Sequence, residues 1–356
     1  MSNFDLSKIL RPHILSLAPY SSARDEYTGH VGIFLDANEN PYGSVTDADY
    51  NRYPDPYQAD IKQKLAPIKN IAAERIFLGN GSDEPIDLLT RATCTPGQDR
   101  VMILPPTYGI YEVSASIHDV KIDKVSLTND YLIDTDAVLA AITPNTKIIW
   151  ICSPNNPTGN VMQHEAIQTI LKNFDGLVVV DEAYIDFTET PSWIQHLDQY
   201  PNLVVLQTFS KAWGLAGIRI GMCFASVELI RILNKIKPPY NISLPAQQAL
   251  LTGLDSIEKK NKMVADILKE RTSLCNMLAD LSLVIKVHPS DANFLLVQFE
   301  DAKAVMDYLI KETIIVRDRS RVHLCDGCLR ITVGTQEENE TLIETLKKFQ
   351  LNGIMA

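Results

Sequence analysis

The sequence predicts an α/β protein with a large, mostly parallel sheet flanked by helices, followed by a smaller α+β domain. Between about residues 75 and 225, short apolar and β-branched runs alternate with helical patterns, as in chains that build parallel sheets. The run at 177–180 (LVVV) is apolar at every position, which is typical of a strand covered on both faces. After about residue 245 this alternation stops.

The first half of the pattern gives the elements of the large sheet in order. Strands are predicted at 75–78, 101–104, 147–152, 177–181, 203–207 and 219–224. Helices are predicted at 82–94, 108–117, 134–142 and 163–173. Ser82 is the expected N-cap of the first helix, and Pro85 lies in its first turn, where its missing N–H costs nothing.

The second half predicts a separate, smaller unit. A long helical stretch precedes strands near 283–287, 293–299, 314–317 and 328–333 and helices near 301–311 and 336–349. The segment up to about residue 40 shows no strand for the large sheet, so we expect it to pack against this unit. The predicted domains are therefore 41–245, the large domain, and 1–40 together with 246–356, the small domain.

Composition excludes several classes of protein. The 356 residues are 46% hydrophobic and 22% charged, an ordinary globular balance. The net charge of −11 disfavours nucleic-acid binding. No apolar run reaches the length of a membrane span, and the N-terminus does not resemble a signal peptide, so we expect a cytoplasmic protein. Only Cys325 and Cys328, of six cysteines, have metal-like spacing, and no second pair completes a site, so no metal is predicted.

Four polar segments follow predicted strands and so are expected at one edge of the sheet, where α/β proteins bind ligands. They are 79–84 (GNGSDE), 153–159 (SPNNPTG), 181–184 (DEAY) and 208–211 (TFSK), the last closely followed by Arg219. Taken singly, each also fits an ordinary turn, and most lysines are surface residues. Lys211 is distinctive because its neighbours are apolar, and desolvation would lower its pKa and favour an amine nucleophile.

A single ligand accounts for all four segments together. A phosphate suits the helix start after 79–84 and Arg219, an aldehyde suits Lys211, and a pyridine nitrogen suits Asp181. A phenolate oxygen suits Asn156 and Tyr184. The ligand with these groups is pyridoxal phosphate.

The same residues carry a family resemblance. The chain resembles fold-type I pyridoxal-phosphate aminotransferases, and among these the histidinol-phosphate aminotransferase family, over nearly its whole length. The matching segments are 18–20 (APY), 35–41 (LDANENP), 52–54 (RYP), 106–108 (PTY), 153–159, 181–184, 210–221 and 327–334 (GCLRITVG). Trp213 departs slightly from the pattern, since relatives commonly carry a smaller aromatic there.

The resemblance implies the roles of the cofactor-binding residues. Lys211 would hold pyridoxal phosphate as a Schiff base and move the substrate proton, while Asp181 would keep the pyridine nitrogen protonated. Tyr184 and Asn156 would donate to the ring oxygen, and Tyr108 would stack on the ring. The phosphate would be held by Gly81, Ser82, Thr208, Ser210 and Arg219. A tyrosine like Tyr53 would reach the phosphate of a neighbouring subunit, which implies a homodimer with shared sites.

The resemblance also implies a reaction, transamination of L-histidinol phosphate with 2-oxoglutarate in histidine biosynthesis. Arg330 and Arg317 would bind the anionic ends of the substrates, and Tyr20 and Asn38 would line the entrance. For the neighbouring Arg319 and Arg321, an exposed loop position is the favoured interpretation. Three alternatives remain: a decarboxylase resembling threonine-phosphate decarboxylase, a broad aromatic aminotransferase, and a binding module without catalysis.

Overall fold

The computed structural model describes residues 4–20 and 32–354, and side chains as far as residue 351. Two sheets organise this part of the chain, one of seven strands and one of four. Within it, no helix is both long enough and apolar enough to cross a membrane.

The seven-stranded sheet has the strand order β1-β7-β6-β5-β4-β2-β3. Its strands are β1 (Ile76–Asn80), β2 (Arg100–Ile103), β3 (Lys121–Lys124), β4 (Thr146–Cys152), β5 (Leu177–Asp181), β6 (Leu203–Thr208) and β7 (Ile220–Phe224). Strand β7 pairs antiparallel with both of its neighbours, and every other pairing in the sheet is parallel. The carboxyl ends of β4, β5 and β6 therefore meet at one edge.

Helices lie along both faces of this sheet. They are α1 (Leu6–Ile9), α2 (Pro12–Ser16), α3 (Ala59–Lys69), α4 (Asp83–Thr93), α5 (Ile110–Ile117), α6 (Thr135–Ala141), α7 (His164–Asn173), α8 (Val227–Ile236) and α9 (Leu244–Leu254). Successive residues of β5 show why its sequence lacks alternation. Val178 and Val180 belong to one core cluster, whereas Leu177 and Val179 belong to the other. Both faces of the strand are covered, so apolar residues are favoured at every position.

The four-stranded sheet is antiparallel, in the order β10-β11-β9-β8. Its elements are β8 (Val284–Val287), β9 (Phe294–Phe299), β10 (Arg317–Asp318) and β11 (Cys328–Thr332), with helices α10 (Ile257–Ala279), α11 (Ala302–Lys311) and α12 (Gln336–Ile354). A third core cluster joins these helices to one face of the sheet through residues such as Leu274, Leu309, Leu329 and Leu346.

Strand β3 is the one element of the large sheet that the sequence pattern did not predict. Its residues Lys121–Lys124 are exposed or half-buried, and the strand pairs only with β2 at the end of the sheet. An edge strand needs no continuous apolar run because one side faces solvent, and charged residues there discourage pairing with other chains. All predicted strands are present, with their ends shifted by no more than three residues.

The expectation for the N-terminal segment is wrong for residues 4–17. Ile9 is buried in the core cluster that contains Leu88 and Leu229, and the Arg11 N–H donates to the Ala92 carbonyl at 2.9 Å. These contacts are made with α4 and α8, because short amphipathic helices bury their apolar side where uncovered apolar surface is available. The domain limits themselves stay a prediction, since one core cluster includes residues from 61 to 328.

Gly221 allows β7 to lie against the start of α4. A Cβ at this position would come within 2.3 Å of the Ser82 backbone nitrogen and 2.4 Å of the Gly81 carbonyl carbon. These are backbone atoms, so the helix start would have to move. We expect Gly221→Ala to lower the free energy of unfolding by about 1–3 kcal/mol, the usual cost of overpacking.

Urea unfolding measures this change. Gly217→Ala is the matched control, because a Cβ there meets nothing within 4 Å. Equal midpoints for the two variants would contradict the close packing of β7 against α4.

Candidate active site

A cavity of about 450 Å³ lies at the sheet edge where β4, β5 and β6 end. Residues of the small sheet close its other side. The lining residues are Ser82, Asp83, Tyr108, Cys152, Asn156, Asp181, Ala183, Tyr184, Thr208, Ser210, Lys211, Ala216, Arg219, Arg317, Arg319 and Arg330. The structure thus brings all four polar segments of the sequence into one cavity.

The start of α4 forms one end of this cavity. Ser82 occupies the N-cap position as predicted, but its side chain makes no capping hydrogen bond. Gly81, with φ of +72°, does not line the cavity; its N–H donates to the Arg219 carbonyl at 2.8 Å. A Cβ on Gly81 would lie 2.6 Å from the Arg219 guanidinium, so glycine is needed for this approach. The first turn of a helix attracts anions.

Arg219 completes this end, which we call the anion cup (Ser82, Thr208, Ser210 and Arg219). Its left-handed backbone, with φ of 55°, turns the side chain back toward the edge. The guanidinium donates to the Ser210 hydroxyl at 3.4 Å and lies 3.5 Å from the Asp83 carboxylate. The Thr208 hydroxyl accepts the Ser210 N–H at 3.1 Å.

Asp181 is buried at the end of β5. Its carboxylate accepts the Tyr111 hydroxyl at 2.6 Å and the Ala183 N–H at 3.1 Å. Burial raises the pKa of Asp181 to about 6, although the hydrogen bonds from Tyr111 and Ala183 act in the opposite direction. Tyr111 was missed by the sequence analysis; it is itself buried and stacks on Trp150 at 5.0 Å.

Lys211 differs from the sequence expectation in one respect. Its neighbours Phe209, Ala212 and Trp213 are buried as expected, but the Lys211 side chain itself is exposed on the cavity wall. Its Nζ lies 5.6 Å from the centre of the Tyr184 ring. Its pKa is lowered by partial burial first, and then by the charges of Arg330 and Arg219. The cavity, rather than the apolar neighbours, sets the environment of the amine.

A hydrogen-bonded chain links the two sheets across the cavity. The Asn156 amide donates to the Tyr184 hydroxyl at 3.4 Å, and the Arg330 guanidinium donates to the Asn156 carbonyl oxygen at 2.5 Å. The rings of Tyr184 and Phe294 meet edge to face at 5.1 Å. Burial raises the pKa of the Tyr184 hydroxyl, so it remains a donor at neutral pH.

Tyr108 lies between the anion cup and Asp181. Its hydroxyl donates to Asp83 at 3.3 Å, and its ring meets Tyr111 edge to face at 5.6 Å. Burial raises the pKa of this hydroxyl as well. The ring is therefore held on the cavity wall by contacts on two sides.

Besides Gly81, three predicted residues lie outside the cavity of their own chain. Tyr53 is 51% exposed and stacks on Tyr240 at 4.4 Å, and its N–H donates to Glu39 at 2.7 Å. Tyr20 is 74% exposed, and Asn38 is exposed in a left-handed conformation. The roles assigned to these residues stay predictions.

The position of Arg319 differs from the one that the sequence predicts. It was expected on an exposed loop, but it is half-buried, lines the cavity beside Arg317 and Arg330, and has a buried Nε without a hydrogen-bond partner. Its position follows from the ladder between β10 and β11, which continues through the Arg319 N–H to the Cys328 carbonyl at 3.0 Å. Arg321, two residues further, is exposed as expected.

The other lining residues that sequence reasoning missed are Asp83, Cys152, Ala183 and Ala216. Each is adjacent, within a residue or a few, to a predicted site residue, so the motifs marked the right segments. No sequence signal distinguishes these four from ordinary turn residues. Among the described residues, no group of three or more histidine, cysteine or acidic side chains is arranged to hold a metal ion.

Comparison of folds gives the structural class. The crystal structure of the histidinol-phosphate aminotransferase from Clostridium acetobutylicum matches with a TM-score of 0.79 and 25% sequence identity, over 85% of this chain and 92% of that chain. That of the enzyme from Sinorhizobium meliloti, in complex with pyridoxal-5′-phosphate, matches with a TM-score of 0.78 and 23% identity, over 94% and 97% of the two chains. The predicted fold-type I architecture is confirmed.

Sequence comparison gives the family. The profile of the aminotransferase class I and II family matches residues 33–346. The histidinol-phosphate aminotransferase of Cytophaga hutchinsonii is 58% identical over 346 residues, which are 97% of this chain and 99% of that relative. The chain belongs to the class I and II aminotransferase family.

The buried carboxylate of Asp181 predicts a measurable cost to stability. Its pKa of about 6 in the native state exceeds the ordinary 3.8, so the native state holds the proton more tightly than the unfolded state. Stability contributed by this group is therefore lost as pH rises between about 4 and 6. In protein freed of small ligands, we expect Asp181→Asn to raise the free energy of unfolding by about 1–3 kcal/mol at pH 8, and by less at pH 5.

Urea unfolding at the two pH values tests this expectation. Asp175→Asn is the matched control, since Asp175 is exposed just before the same strand. A variant at Asp181 that is equally or less stable at pH 8 would show that the carboxylate carries no burial penalty.

Proposed function

We propose that this chain is a pyridoxal-phosphate-dependent enzyme that transaminates L-histidinol phosphate with 2-oxoglutarate in histidine biosynthesis. The products are imidazole-acetol phosphate and glutamate. The observation that carries the proposal is one cavity in which Lys211 and a buried Asp181 lie between an anion cup and a set of arginines. The relative with 58% identity over nearly the whole chain bears this activity in its name.

The residues of the cavity fit the cofactor. A buried carboxylate without a cationic partner is costly, and the pyridinium nitrogen of pyridoxal phosphate supplies such a partner for Asp181. The anion cup offers a guanidinium and hydroxyl groups at a helix start, which suit a phosphate. When bound, the cofactor supplies an electron sink for the negative charge left on the substrate carbon after it loses its proton.

Lys211 is proposed as the residue that binds the cofactor aldehyde through its Nζ. Its lowered pKa increases the fraction of neutral amine, which is the nucleophilic form. The same Nζ, when not bound to the cofactor, would carry the proton between the substrate carbon and the cofactor. Tyr184 lies beside this amine, 5.6 Å from ring centre to Nζ, and its hydroxyl would donate to the oxygen of the cofactor ring. The Asn156 amide would donate to the same oxygen.

The anion cup is proposed to fix the cofactor phosphate. Arg219 would supply charge, Ser210 and Thr208 would supply hydroxyl groups, and Ser82 would offer its backbone N–H at the start of α4. The Gly81 N–H is already bound to the Arg219 carbonyl at 2.8 Å, so Gly81 would act by allowing the close approach of Arg219. Tyr108 would stack on the cofactor ring. Such anchoring matters because proton transfer depends on geometry within about an ångström.

Arg330 and Arg317 are proposed to bind the anionic ends of both substrates. A guanidinium fork matches a carboxylate and a phosphate, so one site can serve glutamate and histidinol phosphate in turn. Arg330 is already oriented by Asn156 and by the ring of Phe294, 5.3 Å away. Tyr20 and Asn38 remain candidates for the entrance.

The alternatives differ in what they predict. A decarboxylase of phosphorylated amino acids would release carbon dioxide without amino transfer to 2-oxoglutarate, and a broad aromatic aminotransferase would accept phenylalanine as readily as histidinol phosphate. A non-catalytic binding module would show no turnover. A cytoplasmic location and the lack of a metal remain predictions from the sequence.

The proposed activity is tested by turnover of histidinol phosphate against a panel of amino donors with 2-oxoglutarate. We expect histidinol phosphate to be preferred and Lys211→Ala to lose transamination, with no cofactor fixed to the protein by borohydride. Arg219→Ala should release cofactor more readily yet regain turnover when cofactor is in excess. Normal turnover by Lys211→Ala would refute the assignment.

We also propose a homodimer that shares its active sites. Residues 33–57 carry apolar side chains that the described part of the chain leaves exposed: Ile33, Leu35, Tyr42 and Val45 are each at least 85% exposed. Contiguous exposed apolar surface on this scale favours a protein interface. Tyr53 belongs to this surface and lies against Tyr240, which borders the pocket next to Arg219. In a dimer, Tyr53 of one chain would reach the cofactor phosphate of the other.

Mixing two defective chains tests the sharing of sites. Lys211→Ala and Tyr53→Phe chains, refolded together, should form mixed dimers in which one of the two sites has both residues intact. With random pairing, activity at limiting cofactor should recover to about a quarter of the wild-type value. If Tyr53 served its own chain, mixing would give no more than the average of the two parents. Light scattering measures the mass of the assembly in solution and therefore tests for a dimer independently.

A further inference from the structure

A third arginine joins the two that the proposed function uses at the small sheet. Arg317 and Arg330 face each other as Cα partners in the β10–β11 ladder. Arg319 follows two residues after Arg317, and side chains two apart in an extended chain point to the same side. All three line the cavity.

Three like charges on one side of a ladder repel one another. Like charges directly opposite in a sheet are destabilising, and here burial adds to the cost. Burial is the main cause that lowers the pKa values of Arg319 and Arg330, and the charge of Arg317 lowers both pKa values further. The arrangement costs stability unless a ligand compensates it.

Acidic side chains compensate this charge only weakly within the described part of the chain, where Asp318 acts on Arg319 at a distance. None of the three arginines forms an ion pair there. The nearest carboxylate in sequence, Asp318, alternates to the other side and accepts hydrogen bonds from the Ser320 N–H at 2.8 Å and hydroxyl at 2.6 Å. The remaining group facing Arg319 is Cys325, whose thiol stays protonated because burial raises its pKa to about 11.

The number of arginines exceeds what a dicarboxylate requires. One guanidinium binds one carboxylate with two hydrogen bonds, so Arg330 and Arg317 together meet that need. A phosphate monoester carries close to two charges above its second pKa of about 6 and offers three acceptor oxygens. Three guanidinium groups suit this dianion, and the buried Nε of Arg319 that lacks a partner fits a group held ready for an absent anion.

We infer that Arg319 is a specificity-determining residue that binds the phosphate of the amino substrate and contributes little to binding of a dicarboxylate. The inference rests on the proposed function for the identity of the phosphorylated substrate. The two arginines therefore differ in the substrates that they bind. Arg330 binds both the phosphorylated substrate and the dicarboxylate, whereas Arg319 favours the phosphorylated substrate.

Steady-state kinetics of Arg319→Gln tests the inference, with Arg321→Gln as the matched control. The control removes the same charge from the same loop at an exposed position. We expect Arg319→Gln to raise KM for histidinol phosphate by about tenfold or more, the loss typical of a charge-assisted hydrogen bond. KM for glutamate should change by less than about threefold, and kcat should stay near the wild-type value. Arg319→Lys, which keeps the charge but loses the planar fork, should fall between.

The pH dependence separates binding from a purely structural role. Between pH 5.5 and 7.5 the phosphate ester gains its second charge, so the penalty of Arg319→Gln relative to wild type should grow as pH rises. A structural role would raise KM for both substrates alike and would give a ratio independent of pH. Either result, or equal behaviour of Arg319→Gln and Arg321→Gln, would overturn the inference.

A separate measurement distinguishes failure of the proposed function from failure of the inference about Arg319. If wild-type enzyme does not turn over histidinol phosphate, the proposed substrate is wrong. The anion site is then judged by calorimetric binding of inorganic phosphate to the holoenzyme, in which the cofactor already fills the anion cup. Weaker binding by Arg319→Gln than by Arg321→Gln supports the site, and equal binding overturns it.

Discussion

The burial of the Asp181 carboxylate is the constraint on which the rest of the cavity depends. β5 is covered on both faces, so a charged group at its end lies in a region that water reaches poorly. Tyr111 and the Ala183 N–H satisfy the two oxygens, but no cationic side chain of the described residues forms an ion pair with the carboxylate. Such a site is unfavourable until a cation binds, and that makes it selective for a ligand with a positive group at this point.

The same principle operates with opposite sign at the small sheet. Arg317, Arg319 and Arg330 concentrate positive charge, and none of them forms an ion pair with another described residue. A bound anion would relieve their mutual repulsion. The cavity therefore holds a buried acid on the large sheet and three basic groups on the small one. A ligand with a cationic ring would match the buried acid, and a ligand with an anionic end would match the arginines. The proposed cofactor and the proposed substrates have these groups. Native stability is reduced at both places in exchange for binding.

Three hydrogen-bonded side chains connect the small sheet to the large one. Arg330 donates a hydrogen bond to Asn156, and Asn156 donates one to Tyr184. These bonds connect strand β11 of the small sheet to the loops after β4 and β5. In the proposed function, a substrate anion bound by Arg330 would thereby be placed relative to the amine of Lys211, beside Tyr184. The relative position of Arg330 and Lys211 thus depends on contacts made by side chains that are distant in sequence.

Sequence alone determined the α/β architecture, the position of nearly all strands along the chain, the four polar segments and their convergence at one edge. These follow from local rules: apolar runs report burial, and parallel strands align their carboxyl ends. Strand β3, the packing of residues 4–17 on α4 and α8, the support of Asp181 by Tyr111 and the place of Arg319 were decided by tertiary structure. Each depends on which surfaces meet in space, since an edge strand, a buried tyrosine and a cavity arginine have no local pattern that distinguishes them from exposed residues.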